Sequence, residues 1–259
     1  MNNPAPALAR RLFAEFLGTG LLVAVVVGSG IAAQQLSPND IGIQLLENST
    51  ATVFGLAVLI LMFGPVSGAH FNPVVSLADW FLGRRLRGGL TLRDTAAYVL
   101  AQCTGAICGA LLADAMFSVG VHISTKHRAS GGHLLAEVVA TSVLIALIFA
   151  LARSHRGAIA APTVGAYIGA AYWFTSSTSF ANPAVAVGRM FSDTFAGIAP
   201  ASVPGFVLMQ LVGLIVGLGT VLILYPDAAR TADDVVIPHD ASATATRRVQ
   251  TVADTKGHR

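Results

Sequence analysis

Charge is what this sequence has least of. Only 11% of its 259 residues are Asp, Glu, Lys or Arg, while 54% are hydrophobic and the mean hydropathy is +0.69. A soluble domain carries roughly 25% charged residues, so this composition excludes an ordinary water-soluble globule and points to a chain in contact with lipid. Cysteine is scarce too. Cys103 and Cys108 are the only two and lie five apart in one apolar stretch. They point to different helix faces, so no disulfide between them is expected and both are read as small packing residues. No Gly-rich phosphate loop, metal-ligand spacing or nucleophile–base set stands out. No enzymatic activity, cofactor or resident metal is therefore expected, and the net charge of +3 calls for no nucleic acid.

What the chain does have is long apolar runs, at 12–33, 42–64, 95–118, 133–152, 158–175 and 203–225. A membrane-spanning helix needs about 20 such residues, so six spans are expected. The first run is too long for a cleaved signal peptide and contains Glu15. Two shorter apolar pieces, 73–83 and 183–191, cannot cross a bilayer. The expected fold is an all-α integral membrane protein of six transmembrane helices and two re-entrant half-helices. With six spans, Arg10, Arg11, Arg84, Arg85, Arg87, Arg93, Arg153 and Arg156 fall on one side together with the basic residues of the tail. Lys126, Arg128 and Arg189 fall on the other. The positive-inside rule then places both termini in the cytoplasm of a multi-pass protein of the cell membrane. A channel domain over 1–225 is expected, followed at 226–259 by a polar cytoplasmic tail whose composition predicts disorder.

The chain also repeats itself. "AEFLGTGLLVAVV" (14–26) is echoed by "AEVVATSVLIALI" (136–148), and "YVLAQCTGAICG" (98–109) by "FVLMQLVGLIVG" (206–217). Between them, "SGAHFNPVVS" (67–76) is matched by "TSFANPAVAVGR" (178–189). Three matches in the same order define halves of about 8–118 and 132–225. Three spans per half is an odd number, so the second half is inverted in the membrane.

Inversion explains the doubled Asn-Pro. The two short pieces enter from opposite faces and can meet near the midplane. Pro73 and Pro183 suit the first helical position, where a missing N–H costs nothing. Asn72 and Asn182 are then N-caps whose amide N–H groups remain to be offered to a solute. Two donors and two positive helix ends at mid-membrane favour neutral, hydrogen-bonding permeants over cations and protons. Glu15 and Glu137, the acidic residues deep in apolar spans, are read as anchors for free N–H groups of the re-entrant loops, with a proton relay as the alternative. Asp114 is expected to reach the membrane interface.

The motifs Asn72-Pro73-Val74 and Asn182-Pro183-Ala184, the paired Ala-Glu starts and the two Gln-containing helices resemble the major intrinsic protein (aquaporin and aquaglyceroporin) family over about residues 10–225. The resemblance implies one pore per subunit and a homotetramer in a lipid bilayer, conducting small neutral solutes. In most of the family an Arg follows the second motif and forms the cationic side of the outer constriction; here that position is Val185. The nearest cation, Arg189, either lines the outer mouth or snorkels to water. The other constriction positions are Thr52 or Phe54, Tyr172 or Trp173, and Ser179 or Phe180. With Val185 they predict a ring of aromatic, hydroxyl and aliphatic groups suited to small polyols or hydroxides. "ANPAVAVGRMFSDTFAGI" resembles the bacterial aquaglyceroporins associated with arsenic resistance, whose substrate arsenite is an uncharged trihydroxide at neutral pH. A water-selective aquaporin and a coupled secondary transporter are the competing readings. His122, His127 and His133 are read as solvated loop residues, and His70 as either a vestibule or a packing residue.

Overall fold

A computed structural model describes residues 6–84, 89–154 and 156–225. The tail expected to be disordered, 226–259, lies outside the described residues. Among the described residues the chain forms eight α-helices: α1 (Leu8–Leu36), α2 (Ile41–Ser67), α3 (Pro73–Gly83), α4 (Leu92–Met116), α5 (Gly131–Arg153), α6 (Ala160–Phe174), α7 (Pro183–Gly188) and α8 (Val203–Leu224). Long apolar runs leave the backbone no alternative in lipid, because a helix satisfies its own N–H and C=O groups. Polar residues appear where those runs begin. Asp40, Thr91 and Ser130 cap α2, α4 and α5 by accepting from the N–H of Ile43, Asp94 and His133.

Among the described residues five helices are long and apolar enough to cross a membrane: α1, α2, α4, α5, and α8 counted from Pro200. The remaining expected span, α6, has 15 residues, about 22 Å at 1.5 Å per residue. One 3-10 turn, Gly157–Ile159, precedes it. It is shorter than its apolar run because the backbone turns extended at Thr175 (φ −107, ψ 135) to begin the loop leading to the second motif. The two short pieces are helical and non-spanning as expected. The second is briefer, with its α-helix ending at Gly188 and a 3-10 turn, Arg189–Phe191, completing it.

The pairing of helices repeats between the halves. α1 packs on α4 as α5 packs on α8, and α2 contacts α6 across the middle. Both intra-half pairs rest on glycines at matching positions. A Cβ at Gly105 or Gly109 would lie 2.1 or 2.0 Å from the carbonyl oxygens of Phe16 and Gly20. At Gly213 or Gly217 it would lie 2.8 or 2.7 Å from those of Val138 and Ser142. Lipid gives helices no hydrophobic reason to associate, so close backbone approach through small residues supplies the packing energy. The outward faces are apolar, with Phe54, Leu61, Met62, Ile215 and Ile223 all exposed.

Candidate functional site

Each half carries one buried carboxylate that folds one loop. Glu15 Oε1 accepts from Ser67 Oγ (2.6 Å) and the His70 N–H (3.0 Å), and Oε2 from the Phe71 N–H (2.7 Å) and Gln102 Nε2 (2.8 Å). Glu137 repeats the set. Its Oε1 accepts from Ser177 Oγ (2.6 Å) and the Phe180 N–H (3.0 Å), and its Oε2 from the Ala181 N–H (2.9 Å) and Gln210 Nε2 (2.6 Å). Four donors converge on each carboxylate, and neither Glu lines the central cavity. These bonds hold an unfavourable backbone in place. Ala69 and Phe71 have positive φ (48 and 48), as do Ser179 and Ala181 (50 and 46). A left-handed residue other than Gly costs about 1–2 kcal/mol, which the charge-assisted bonds offset.

The Asn-Pro turns then lock onto one another. Asn72 Oδ1 accepts from the Val74 N–H (3.1 Å), and Asn182 Oδ1 from those of Ala184 (3.0 Å) and Val185 (3.2 Å). Asn72 Nδ2 donates to the carbonyl of Ala181, and Asn182 Nδ2 to that of Phe71, both at 2.8 Å. The caps stand as expected. The donor count is smaller than the sequence suggested, because a primary amide has two N–H bonds and one from each Asn ties it to the opposite half.

Both turns face one narrow central cavity. It runs from Leu151, Ala152 and Gly157 at one end of the bundle, past Asn72 and Asn182, to Thr52, Tyr172 and Val185 at the other. One wall is aliphatic, from Leu22, Val26, Leu56, Ile60, Leu144 and Ile148. The polar groups lie along the two loops and the outer end. Helix phase decides the open alternatives. Thr52 (2% exposed) and Tyr172 (3%) line the cavity and their hydroxyls approach to 3.2 Å, whereas Phe54 (67%) and Trp173 (53%) face outward. Ser179 and Phe180 both line it, and the Ser179 hydroxyl has no partner among the described residues. His70 combines its two readings, lining the cavity while its Nδ1 lies 3.1 Å from Ser76 Oγ and its ring tilts against Tyr98.

Arg189 does not snorkel. It is buried (2% exposed) and lines the cavity with Val185. Its guanidinium carbon sits 3.5 Å from the centroid of the Phe180 ring, and its Nε donates to the Ala196 carbonyl. Arg128 grips the same loop from behind, Nε to the Gly197 carbonyl (2.8 Å) and Nη2 to that of Phe195 (3.0 Å). Asp193 ties the loop to 124–125, accepting from the Thr125 N–H (2.9 Å). That N–H is the main reason its carboxyl is held below the ordinary range.

Residues 4–181 match the family model described as Major intrinsic protein. The chain belongs to that family. It is similar to "Aquaglyceroporin AqpS" of Rhizobium meliloti, at 52% identity over 212 residues, covering 82% of this chain and 88% of the relative. It is also similar to "Glycerol uptake facilitator protein" of Pseudomonas aeruginosa, at 32% identity over 232 residues and coverage of 78% and 80%. The solved structure of the aquaglyceroporin from Plasmodium falciparum shares the fold, with a TM-score of 0.55 at 21% identity over 90% of this chain and 98% of that one. The protein is thus an all-helical membrane channel of the major intrinsic protein family, a family without enzymatic activity, and its kind is an aquaglyceroporin channel for small neutral solutes.

For a major intrinsic protein, two residues have partners that the sequence did not announce. Asp114 is fully buried rather than interfacial, because Ser192 Oγ donates to its Oδ1 at 2.7 Å and pins the second loop to α4. Arg128, read only as a loop charge, donates to the carbonyls of Gly197 and Phe195. Among the described residues no three His, Cys, Asp or Glu side chains are grouped to hold a metal.

Proposed function

We propose that this channel conducts small polyols and uncharged metalloid trihydroxides of the arsenite type, and that Val185 sets that range. The carrying observation is the makeup of the outer constriction. Val185 lines the same cavity as Thr52, Tyr172 and Ser179, so a solute can turn its apolar side to Val185 and its hydroxyls to theirs. The names of two relatives, a glycerol uptake facilitator and an aquaglyceroporin, support the same class. Asn72-Pro73-Val74 and Asn182-Pro183-Ala184 are the midpoint of the path, and Glu15 and Glu137 are its loop anchors. The channel unit is residues 1–225, with halves of about 8–118 and 132–225. The distribution of basic residues supports cytoplasmic termini in the cell membrane, and the apolar outer faces suit lipid and a homotetrameric neighbour.

Val185→Arg should narrow the ring. Glycerol and arsenite flux into proteoliposomes should fall by about tenfold or more, an added barrier of at least about 1.4 kcal/mol, with water flux much less affected. An unchanged solute ranking in matched liposomes would remove Val185 from the filter. A wild type passing water but no glycerol would favour the water-selective reading.

A further inference from the structure

We propose that Arg189 is the fixed cation of this constriction, supplied from one turn beyond the position where the family's usual Arg stands. Width and charge, which a single Arg would set together, are thereby divided between Val185 and Arg189. The inference rests on the neutral-solute channel reading and deepens it.

Three observations carry it. Arg189 is buried and lines the same cavity as Val185 and Phe180. Its head group is fixed twice, by the Phe180 face at 3.5 Å and by the Ala196 carbonyl. A desolvated cation over an aromatic face is held well. Its two Nη groups have no hydrogen-bond partner among the described residues, so they remain available to a solute hydroxyl. No carboxylate pairs with it, since the one ion pair among the described residues is Arg11 with Asp94. Another cation, Arg128, lies 5.6 Å from the same Phe180 ring, and the oxygens of Glu137 are occupied by the loop donors.

The geometry also explains why the cation can move outward without being lost to water. The α-helix stops at Gly188, and the tighter 3-10 turn at Arg189–Phe191 swings residue 189 back over Phe180 instead of continuing the helical direction. The loop beyond it presents the carbonyls of Phe195, Ala196 and Gly197 to the two guanidinium groups in succession. Phe180 and this loop form a seat for a positive group.

The test compares urea with the guanidinium ion, which are planar and close in size but differ in charge. Flux is measured in proteoliposomes of the wild type, Arg189→Gln and Arg189→Lys. Gln keeps an N–H donor toward Ala196 without the charge; Lys keeps the charge. In the wild type urea should outrun guanidinium. In Arg189→Gln that ratio should fall by roughly 50-fold, the Boltzmann weight of two unit charges about 7 Å apart at an effective dielectric constant of about 20. The readout is the ratio and not either flux alone, since Arg189 also lines the path of urea, and Arg189→Lys should recover most of the ratio. An unchanged ratio in Arg189→Gln overturns the proposal, as does a wild type that passes guanidinium as readily as urea. Phe180→Leu, which removes the seat and leaves Arg189 in place, is the second variant if Arg189→Gln fails to assemble. The ratio should fall there too, and an unchanged ratio again overturns the proposal. Glycerol re-swelling in the same liposomes keeps the two readings apart: its absence refutes the channel reading, whereas its presence with an unchanged urea-to-guanidinium ratio in Arg189→Gln refutes only the placement of the cation.

Discussion

Glu137→Gln is expected to prevent assembly of the channel, with Glu15→Gln close behind. The reason is the donor count. Each carboxylate receives two hydrogen bonds on each oxygen, all eight between 2.6 and 3.0 Å. A Gln of the same shape turns one oxygen into an NH₂; placed on the Oε1 side, it can donate to the turned Ser67 or Ser177 hydroxyl, but it still faces the His70 or Phe180 N–H. One buried backbone N–H is left unpaired and the remaining bonds lose their charge assistance, together a cost of about 3–6 kcal/mol. That is comparable with the whole net stability of an ordinary domain, about 5–15 kcal/mol. The left-handed residues that the carboxylates hold then have nothing to offset their strain. Yield and thermal melting in detergent read the effect. Any transport that survives should be independent of pH, because neither Glu lines the cavity. Full stability with abolished transport would instead favour the proton-relay reading.

Asn182→Ala should be the next most damaging, and more so than Asn72→Ala. Asn182 accepts from two backbone N–H groups and donates to the Phe71 carbonyl, whereas Asn72 accepts from one and donates to the Ala181 carbonyl. Loss of a cap costs about 1 kcal/mol, and a stranded buried carbonyl a further 1–3 kcal/mol or so. Asn182→Asp separates the two duties. It keeps the cap but sets a carboxylate oxygen against the Phe71 carbonyl, so it should disturb the contact between the turns while α7 stays formed. Melting temperature and glycerol flux should fall in both Ala variants, and wild-type values of both in Asn182→Ala would contradict the assigned role.

The sequence was most legible where chemistry is local. A cap, a Pro at the first helical position and a buried carboxylate each declare their duty through residue type and spacing, and the repeat declared which duties come in pairs. It was least legible where helix phase mattered. Counting from the motifs could not separate Thr52 from Phe54, and although Gln44, Asn48 and Thr52 recur every fourth residue on the buried face of α2, only packing against α1 and α6 shows which side chain faces the cavity. The same holds for Tyr172 and Trp173 on α6. Arg189 was ambiguous because its position depends on a 3-10 turn and on carbonyls of 195–197, which no short motif announces. Asp114 was misplaced because its partner, Ser192, is far along the chain and reaches it only after the second loop folds inward.

The central claim, passive conduction of uncharged polyols, is tested most directly by wild-type proteoliposomes exposed to an inward glycerol gradient in a stopped-flow instrument. The account expects re-swelling well above that of empty liposomes, at a rate proportional to the gradient and unaffected by sodium, pH gradient or membrane potential. Re-swelling equal to empty liposomes, or uptake that requires an ion or proton gradient, would contradict it.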